Sequence, residues 1–465
     1  MNWMNYFKLK SLWLVVSLIF LYNGKLKAQS SEILLKQNDR ICFIGNSITH
    51  AGYYHYFLDL YFATRYPQLH YESYNCGISG DVAGGVLNRM HKDILVHHPT
   101  VASVMIGMND VNRELYAVKD KSNDLERQKS LDVYKGRIEQ IYDSLSAAGC
   151  KLIFLTPSIY DQESTISPEN LVGVNNALGI CSEYIREFSK KYNGTLVDFN
   201  AEMNKINRVE LKKDPKFGLC GNDRVHPPIW GHFIMSYIFL KAIEKPSLVS
   251  SIEIDTRNLS KVKTTRCEFS NLDFHSGKLS FDCLENSLPF PITDDIQKSL
   301  EIVPFNKEFN QELIKIKQLE AGKYWLIIDH DTIDSFTEKQ FSVGINLANF
   351  KKTPQFKQSM KVQQLSWERH QLVSSKLRLM AIFDYSDLIN CNDSTSMEVI
   401  KDLLNKRVES VKGKPWYNYF RTSAEQYLET RPQKTMILQE VDRVQKEIYL
   451  ANIPKTHHYQ LIKKQ

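Results

Sequence analysis

The sequence from Arg40 to about residue 245 predicts an α/β fold, a three-layer α/β/α sandwich around a five-stranded parallel sheet. Short apolar runs alternate there with longer amphipathic runs, a pattern typical of buried parallel strands joined by helices. The most unusual polar motifs of this region also follow predicted strands directly. Because the carboxyl ends of parallel strands meet at one edge of a sheet, this placement predicts a functional site at that edge.

Five apolar runs are the predicted strands, and helices fill the gaps between them. The strands are predicted at 41–44, at a segment that ends around 74–77, and at 101–106, 151–155 and 195–199. The clearest helical stretches are 53–66, 131–148 and 170–192. Right-handed β-α-β crossovers place such helices on both faces of the sheet, which gives the three layers.

The first 29 residues have the pattern of a secretory signal peptide. Lys8 and Lys10 precede an apolar run at 12–22, and a short polar stretch ends at Gln29. The apolar run has about 11 residues, whereas a helix needs roughly 20 to cross a bilayer. We therefore expect a secreted or periplasmic protein with no stable membrane anchor after cleavage.

The rest of the chain is predicted to form three regions. Residues 30–248 hold the α/β domain, residues 249–335 alternate apolar and polar positions like a small β-rich module, and residues 336–465 are mainly helical. The last three residues resemble a frayed tail. The sequence assigns no role to the C-terminal regions and no oligomeric state.

Composition excludes several classes of function. The formal net charge is +6, but four lysines of the signal segment account for much of it, which leaves 55 basic against 53 acidic side chains. Nucleic-acid binding requires a concentrated basic face, so no nucleic-acid partner is expected. The eight cysteines show no metal-ligand spacing, and we expect neither a metal nor an organic cofactor. Pairing of Cys267 with Cys283, which flank a short β-like stretch, stays open.

Two segments could together supply a nucleophile and its base. Ser47 lies in Gly-Asn-Ser-Ile-Thr directly after the first predicted strand, where a serine by itself is usually a helix N-cap. His226 lies in Asp-Arg-Val-His-Pro, three residues after Asp223. A hydroxyl near neutral pH needs a base to take its proton, and a carboxylate can orient the imidazole that does so. The alternative is that Asp223 caps the following turn and that His226 is a packed loop histidine.

Two further segments could stabilise an oxyanion. Gly80, in Cys-Gly-Ile-Ser-Gly-Asp, can bring a bare backbone N–H close to a ligand, and Asn109, in Gly-Met-Asn-Asp, offers a neutral side-chain donor. A tight turn and an Asx-type turn are the structural alternatives.

The four segments in this chain order resemble the SGNH/GDSL hydrolase superfamily, whose four blocks supply Ser, Gly, Asn and His. The resemblance covers about residues 38–245 and implies a flavodoxin-like SGNH hydrolase fold. It implies Ser47 as nucleophile, His226 as base, Asp223 as the orienting carboxylate, and an oxyanion hole of the Ser47 and Gly80 amides with the Asn109 side chain. Asn46 stands where the superfamily usually has Asp, which leaves the turn geometry and the subfamily open.

The resemblance further implies a secreted esterase that removes O-acyl groups, above all acetyl, from carbohydrate. The Gly-Asn-Ser-Ile-Thr block and the downstream Gly-Ile-Asn-Leu-Ala segment at 344–348 resemble an exported branch with a long C-terminal extension. Lipid or thioester hydrolysis and non-catalytic carbohydrate binding on an esterase scaffold remain alternatives. Tyr53, Tyr54 and Trp230 could stack on a sugar, although packing is the commoner role of such aromatics.

Overall fold

The first five strands form one parallel sheet, as predicted. In the computed structural model, which describes residues 34–117, 122–392, 395–414 and 416–464, they have the order β2-β1-β3-β4-β5. Their bounds are β1 Arg40–Gly45, β2 Glu72–Gly77, β3 Val101–Met105, β4 Lys151–Leu155 and β5 Thr195–Val197. The expected signal peptide at 1–29 lies outside the described residues.

Helices cover both faces of this sheet. They are α1 Ser47–Ala51, α2 Tyr53–Arg65, α3 Ala83–Arg89, α4 Asp124–Ala147, α5 Val174–Lys191, α6 Phe199–Leu211 and α7 Ile229–Ile243. Cys42 and Ile44 of β1 face a core shared with α3, α4 and α5. Phe43 faces the other way, with its ring centroid 6.0 Å from that of Tyr54 in α2 and 6.4 Å from that of Phe239 in α7. Successive side chains of β1 thus pack against helices on opposite faces of the sheet, which gives the predicted three-layer α/β/α sandwich.

Two smaller sheets follow in the chain. Their strands are β6 Ser250–Asp255, β7 Lys263–Thr265, β8 Cys267–His275, β9 Lys278–Glu285, β10 Glu312–Lys317, β11 Lys323–Ile328, β12 Asp331–Thr337, β13 Ile345–Asn346 and β14 Thr456–Lys463. The orders are β13-β10-β6-β7 and β12-β11-β14-β9-β8, and one apolar core is shared by strands of both sheets. The short helices α8 Ser299–Ile302, α9 Phe305–Phe309 and α10 Glu338–Val343 connect their strands. Cys267 and Cys283 are both free thiols.

The last strand reaches Lys463, the first of the three residues 463–465 for which the sequence predicted a frayed tail. Strand β14 pairs antiparallel with both β9 and β11, and Lys463 is its last residue. Tyr459 and Leu461 are buried between the sheets, at alternate positions of the strand. Burial of these two side chains offsets the conformational entropy that is lost when the last strand becomes ordered. The region 336–465 therefore contributes the central strand of a sheet as well as helices.

The described part of the C-terminal region has five further α-helices, some of which contact the outer edge of the first sheet. They are α11 Pro354–His370, α12 Arg378–Asp384, α13 Met397–Ser410, α14 Tyr417–Thr430 and α15 Lys434–Ala451, with a π-helical segment Gln371–Leu377 between α11 and α12. Strand β2 pairs with β1 alone, so its outer carbonyl groups need other donors. Arg369 donates to the carbonyl oxygen of Ser73 at 2.8 Å and Arg378 to that of Gly77 at 3.0 Å.

From Leu35 onward the chain clusters as one compact unit. The boundaries predicted near residues 248 and 335 stay predictions. None of the helices in the described part of the chain combines the length and the apolar character needed to span a membrane.

In the segment 344–348, the Asn346 side chain accepts from the backbone N–H of Glu312 at 2.8 Å and donates to the carbonyl oxygen of Asn310 at 3.0 Å. This side chain therefore links its segment to the start of β10.

Burial of His55 gives the fold a specific sensitivity to acid. His55 stacks on Phe43 at 4.6 Å, and burial lowers its pKa to about 3. In the unfolded chain the pKa is about 6.5, so the unfolded chain binds the proton first as the pH falls, and the wild type loses stability below that value. We expect His55→Gln to remove this loss. As the pH falls from about 6 to about 4, the difference between the unfolding free energies of His55→Gln and wild type should rise by about 1.4 kcal/mol per pH unit.

Urea unfolding at a series of pH values measures this difference. His275→Gln, at an 84% exposed side chain, is the control and should follow the wild-type pH dependence. Parallel curves for wild type and His55→Gln would show that His55 does not stay neutral in the folded protein.

Candidate active site

The register of the first sheet brings three loops to one place. Gly45 at the end of β1 pairs with Gly77 of β2 on one side and with Met105 of β3 on the other. The segments that follow these strands carry Ser47, Gly80 and Asn109. Close approach of the loops requires glycine at 77, because a Cβ there would lie 2.2 Å from the backbone nitrogen of His50. The predicted edge of the sheet is thus where the polar motifs meet.

Ser47 is the first residue of helix α1 and presents its hydroxyl to His226. Its Oγ lies 2.7 Å from His226 Nε2. Asn46, which is 3% exposed, is the N-cap of this helix, and its Oδ1 accepts from the backbone N–H of Ile48 at 3.3 Å. Asparagine is as good an N-cap as aspartate. The departure at residue 46 therefore keeps the capped turn that positions Ser47.

Asp223 determines which ring nitrogen of His226 carries the proton. Its Oδ2 lies 2.5 Å from His226 Nδ1. Partial burial raises the pKa of the Asp223 carboxyl, but hydrogen bonds from the His226 side chain and from the backbone amides of His226 and Val225 lower it to about 2. An ionised carboxylate only accepts, so Nδ1–H donates to Asp223 and leaves Nε2 of the neutral ring to accept from the Ser47 hydroxyl.

Arg224 anchors the loop that carries this pair, a role that the sequence reasoning missed. The residue is 2% exposed and has a φ of 65°, in the left-handed region. Its guanidinium donates to the carbonyl oxygens of Glu169 at 2.6 Å, Asp161 at 2.6 Å and Ser164 at 2.8 Å. Because the buried Arg224 side chain bonds several fixed acceptors, it holds the backbone on both sides of residue 224 in place. The Asp223 and His226 side chains are 54% and 46% exposed, so the anchored loop orders them rather than their own burial.

Gly80 and Asn109 lie on neighbouring loops that are bonded to each other. Gly80 has a φ of 82°, and a Cβ built on it would have no atom within 4 Å, so its backbone borders open space. One N–H of the Asn109 side-chain amide donates to the carbonyl oxygen of Asp81 at 2.9 Å. Asp110 Oδ1 accepts from the backbone N–H of Ala83 at 2.8 Å, and burial raises the pKa of this carboxyl to about 6. These two bonds fix the spacing between the loops.

The aromatic residues considered for sugar stacking differ in exposure. Tyr54 is fully buried and packs against Phe43 and Phe199, so it belongs to the core. Tyr53 is half-buried and stacks on Trp367 at 6.0 Å. Trp230 is half-buried, with the Lys298 ammonium 4.2 Å from its ring centroid.

Two adjacent histidines of β14, His457 and His458, have separate partners. His457 Nδ1 lies 2.8 Å from Asp329 Oδ2, and His458 Nδ1 lies 2.6 Å from Asp282 Oδ1, so the two rings contact different carboxylates. His97 is close to Cys76 and Asp93, and the potential ligand atoms of the three lie within 4.8 Å of one another. A cation there would have to displace two guanidinium groups from Asp93.

Comparison with known proteins assigns residues 43–232 to a family of domains. Residues 43–232 match the model of the GDSL-like Lipase/Acylhydrolase family. The acetylxylan esterase of Geobacillus stearothermophilus is 27% identical over 221 residues, covering 44% of this chain and 94% of that protein. The solved structure of BT4096, a gut microbial diltiazem-metabolizing enzyme, has a TM-score of 0.84 and 29% identity, covering 93% of this chain and 99% of that one. Residues 43–232 therefore form a GDSL-like lipase/acylhydrolase domain, and the chain is an ester hydrolase.

Proposed function

We propose that the protein is an exported acetylesterase of carbohydrate, which uses Ser47 as nucleophile, His226 as general base and acid, and Asp223 as the orienting carboxylate. One observation carries the proposal: a continuous hydrogen-bonded chain runs from Ser47 Oγ through the His226 ring to Asp223. Export rests on the signal-peptide pattern at 1–29.

In the first half-reaction, Ser47 Oγ attacks the ester carbonyl carbon while His226 Nε2 takes the hydroxyl proton. The carbonyl π electrons move to oxygen, which becomes a tetrahedral oxyanion. When the intermediate collapses, the bond to the sugar oxygen breaks, and His226 returns its proton to that oxygen. The sugar leaves as an alcohol and the acyl group stays on Ser47.

The oxyanion would be held by the backbone amides of Ser47 and Gly80 and by the second N–H of Asn109. Three features support this assignment. The Ser47 amide is at a helix N-terminus, Gly80 borders open space, and the Asn109 amide uses one of its two N–H groups on Asp81. Donors fixed before the reaction stabilise developing charge more than mobile water does.

In the second half-reaction, His226 removes a proton from water, and the resulting hydroxide attacks the acyl-enzyme. The same donors hold the second oxyanion. Collapse breaks the bond to Ser47 Oγ, which recovers the proton from His226, and the acid is released. Because Asp223 remains ionised, it stabilises the imidazolium in both halves without exchanging a proton.

The acetylated carbohydrate substrate is supported by the acetylxylan esterase relative. The exposure of the His226 and Asp223 side chains also suits a bulky substrate, because an ester on a sugar can approach the serine without entering a deep cavity.

Release of acetate from acetylated xylan and pectin tests the proposal, together with p-nitrophenyl esters of increasing acyl length. Ser47→Ala is compared with Ser144→Ala, a matched change at a partly exposed serine of α4. Acetate release by wild type and Ser144→Ala but not by Ser47→Ala is the expected result. A preference for long acyl chains would contradict the acetylesterase proposal and indicate a lipid hydrolase. Failure to hydrolyse any ester would indicate a carbohydrate-binding protein.

A further inference from the structure

Arg378 is a buried arginine that joins the C-terminal helices to the end of β2. It is the first residue of α12 and follows the π-helical segment Gln371–Leu377, a type of distortion that is frequent at functional sites. Its side chain is 7% exposed. Its Nε donates to the carbonyl oxygen of Gly77 at 3.0 Å, and its two terminal nitrogens donate to Asp93 Oδ1 at 2.6 Å and Oδ2 at 2.9 Å.

From Asp93 a chain of bonds leads to both oxyanion loops. Asp93 also bonds Arg89, which is 2% exposed. Arg89 donates to Asp81 Oδ2 at 2.9 Å and to the carbonyl oxygen of Cys76 at 2.9 Å. Asp81 directly follows Gly80, and its own carbonyl oxygen accepts from the Asn109 amide.

The charges of this cluster balance only when Arg378 is present. Asp93 is a buried carboxylate and Asp81 is a largely buried one with a side chain that is 9% exposed, and Arg89 and Arg378 are the two guanidinium groups bonded to them. Burial raises the pKa of Asp93, but the bonds from Arg378 and Arg89 hold it below its ordinary value. Without Arg378, the Arg89 guanidinium alone would have to balance the charges of both carboxylates. Removing one partner of a buried charge set is costly, because the charge left behind is not compensated.

The opposite side of the same loop is held by His50 of α1. Its Nδ1 accepts from the backbone N–H of Ser79 at 3.2 Å. Burial, reinforced by the charge of Arg378, lowers the pKa of His50 to about 3, so the ring stays a neutral acceptor. The Gly80 segment is thus held between the helix that carries Ser47 and an arginine that comes from the C-terminal region.

We propose that Arg378 is a positioning residue for the oxyanion hole: through Asp93, Arg89 and Asp81 it sets the placement of Gly80 and Asn109. This inference rests on the proposed function of those two donors. It gives the C-terminal region a role in turnover, because the GDSL-like domain obtains this arginine from outside the family match at 43–232. A shift of about 1 Å in a reacting group can cost about a hundredfold in rate.

Arg378→Met tests the proposal in the full-length protein. Arg369→Met is the matched control, because Arg369 donates to the same strand at Ser73 without a bond to Asp93. With p-nitrophenyl acetate, we expect kcat of Arg378→Met to fall about tenfold to a hundredfold while KM changes less than about threefold. Arg369→Met should keep kcat within about twofold, since no oxyanion donor depends on it. Arg378→Lys, which keeps the charge but not the two-nitrogen bond to Asp93, should lie between Arg378→Met and wild type.

A double-mutant cycle with Asn109→Ala separates positioning from a general loss of structure. If Arg378 acts through the oxyanion donors, Arg378→Met should lower kcat much less in the Asn109→Ala background than in wild type. Equal losses in both backgrounds, or equal kcat values for Arg378→Met and Arg369→Met, would overturn the proposal. If Arg378→Met does not fold by circular dichroism, Arg378→Lys is carried through the same cycle. An inactive wild type, or an active Ser47→Ala, would instead refute the proposed function itself.

Discussion

Ser47→Ala is expected to lower kcat for p-nitrophenyl acetate by about a millionfold, the size of loss seen when a serine nucleophile that works as a unit with its histidine is removed. The reason is geometric. Ser47 Oγ is the atom 2.7 Å from His226 Nε2, and alanine offers no group that could form the acyl intermediate. KM is a poor measure of this change, so the rate is followed at saturating substrate.

Two further measurements make this prediction decisive. A phosphonate ester that reacts with activated serines should add its mass to the peptide containing Ser47 in wild type and to no peptide of Ser47→Ala. Ser144→Ala should be labelled like wild type and keep wild-type kcat, because the Ser144 hydroxyl bonds to the carbonyl oxygen of Gln140 in its own helix α4. Retention of more than about 1% of wild-type activity by Ser47→Ala would show that another group attacks the ester.

Asp223→Asn is expected to lower kcat by about ten-thousandfold with little change in KM. The asparagine carbonyl can still accept from the backbone amides of Val225 and His226, as Asp223 Oδ1 does at 3.0 Å and 2.9 Å, so the loop should keep its shape. The amide group would then donate to His226 Nδ1. This places the ring proton on Nε2, which can no longer accept the proton of Ser47.

The pH dependence provides a separate check on Asp223. Because the pKa of its carboxyl is lowered to about 2, protonation of Asp223 should not limit wild-type activity above about pH 4. Asp143→Asn, on the exposed side of α4, is the control and should leave kcat and the pH profile unchanged. A loss of less than about tenfold in Asp223→Asn would mean that the carboxylate does not set the tautomer of His226.

Most of the first sheet could be predicted because its central strands have a local signature. Buried parallel strands are short apolar runs, and the predicted strand at 151–155 matches β4 at Lys151–Leu155 residue for residue. The candidate site could be predicted for a related reason. Ser47, Gly80 and Asn109 each follow a strand of one parallel sheet, so topology alone brings them to one edge.

Strand β14 and Arg378 could not be predicted in the same way. Strand β14 pairs with β9 and β11, which are more than a hundred residues earlier in the chain, and its isolated sequence is short and ends in lysines. Arg378 looks like any helical arginine in the sequence, and only its bonds to Gly77 and Asp93 distinguish it. A contact between residues so far apart leaves no periodic pattern in a single sequence.

The sequence by itself therefore predicted the class of the fold, because strand patterns are local properties, and it predicted the residues of the candidate site through the resemblance of four short segments to one superfamily. The tertiary structure alone decided how those groups are held: Arg224 anchors the Asp223–His226 loop, and Arg378 closes a buried charge cluster behind Gly80. Both arginines act by satisfying buried acceptors from distant segments. Such acceptors exist only after the chain has folded, which is why their partners cannot be read from the order of residues.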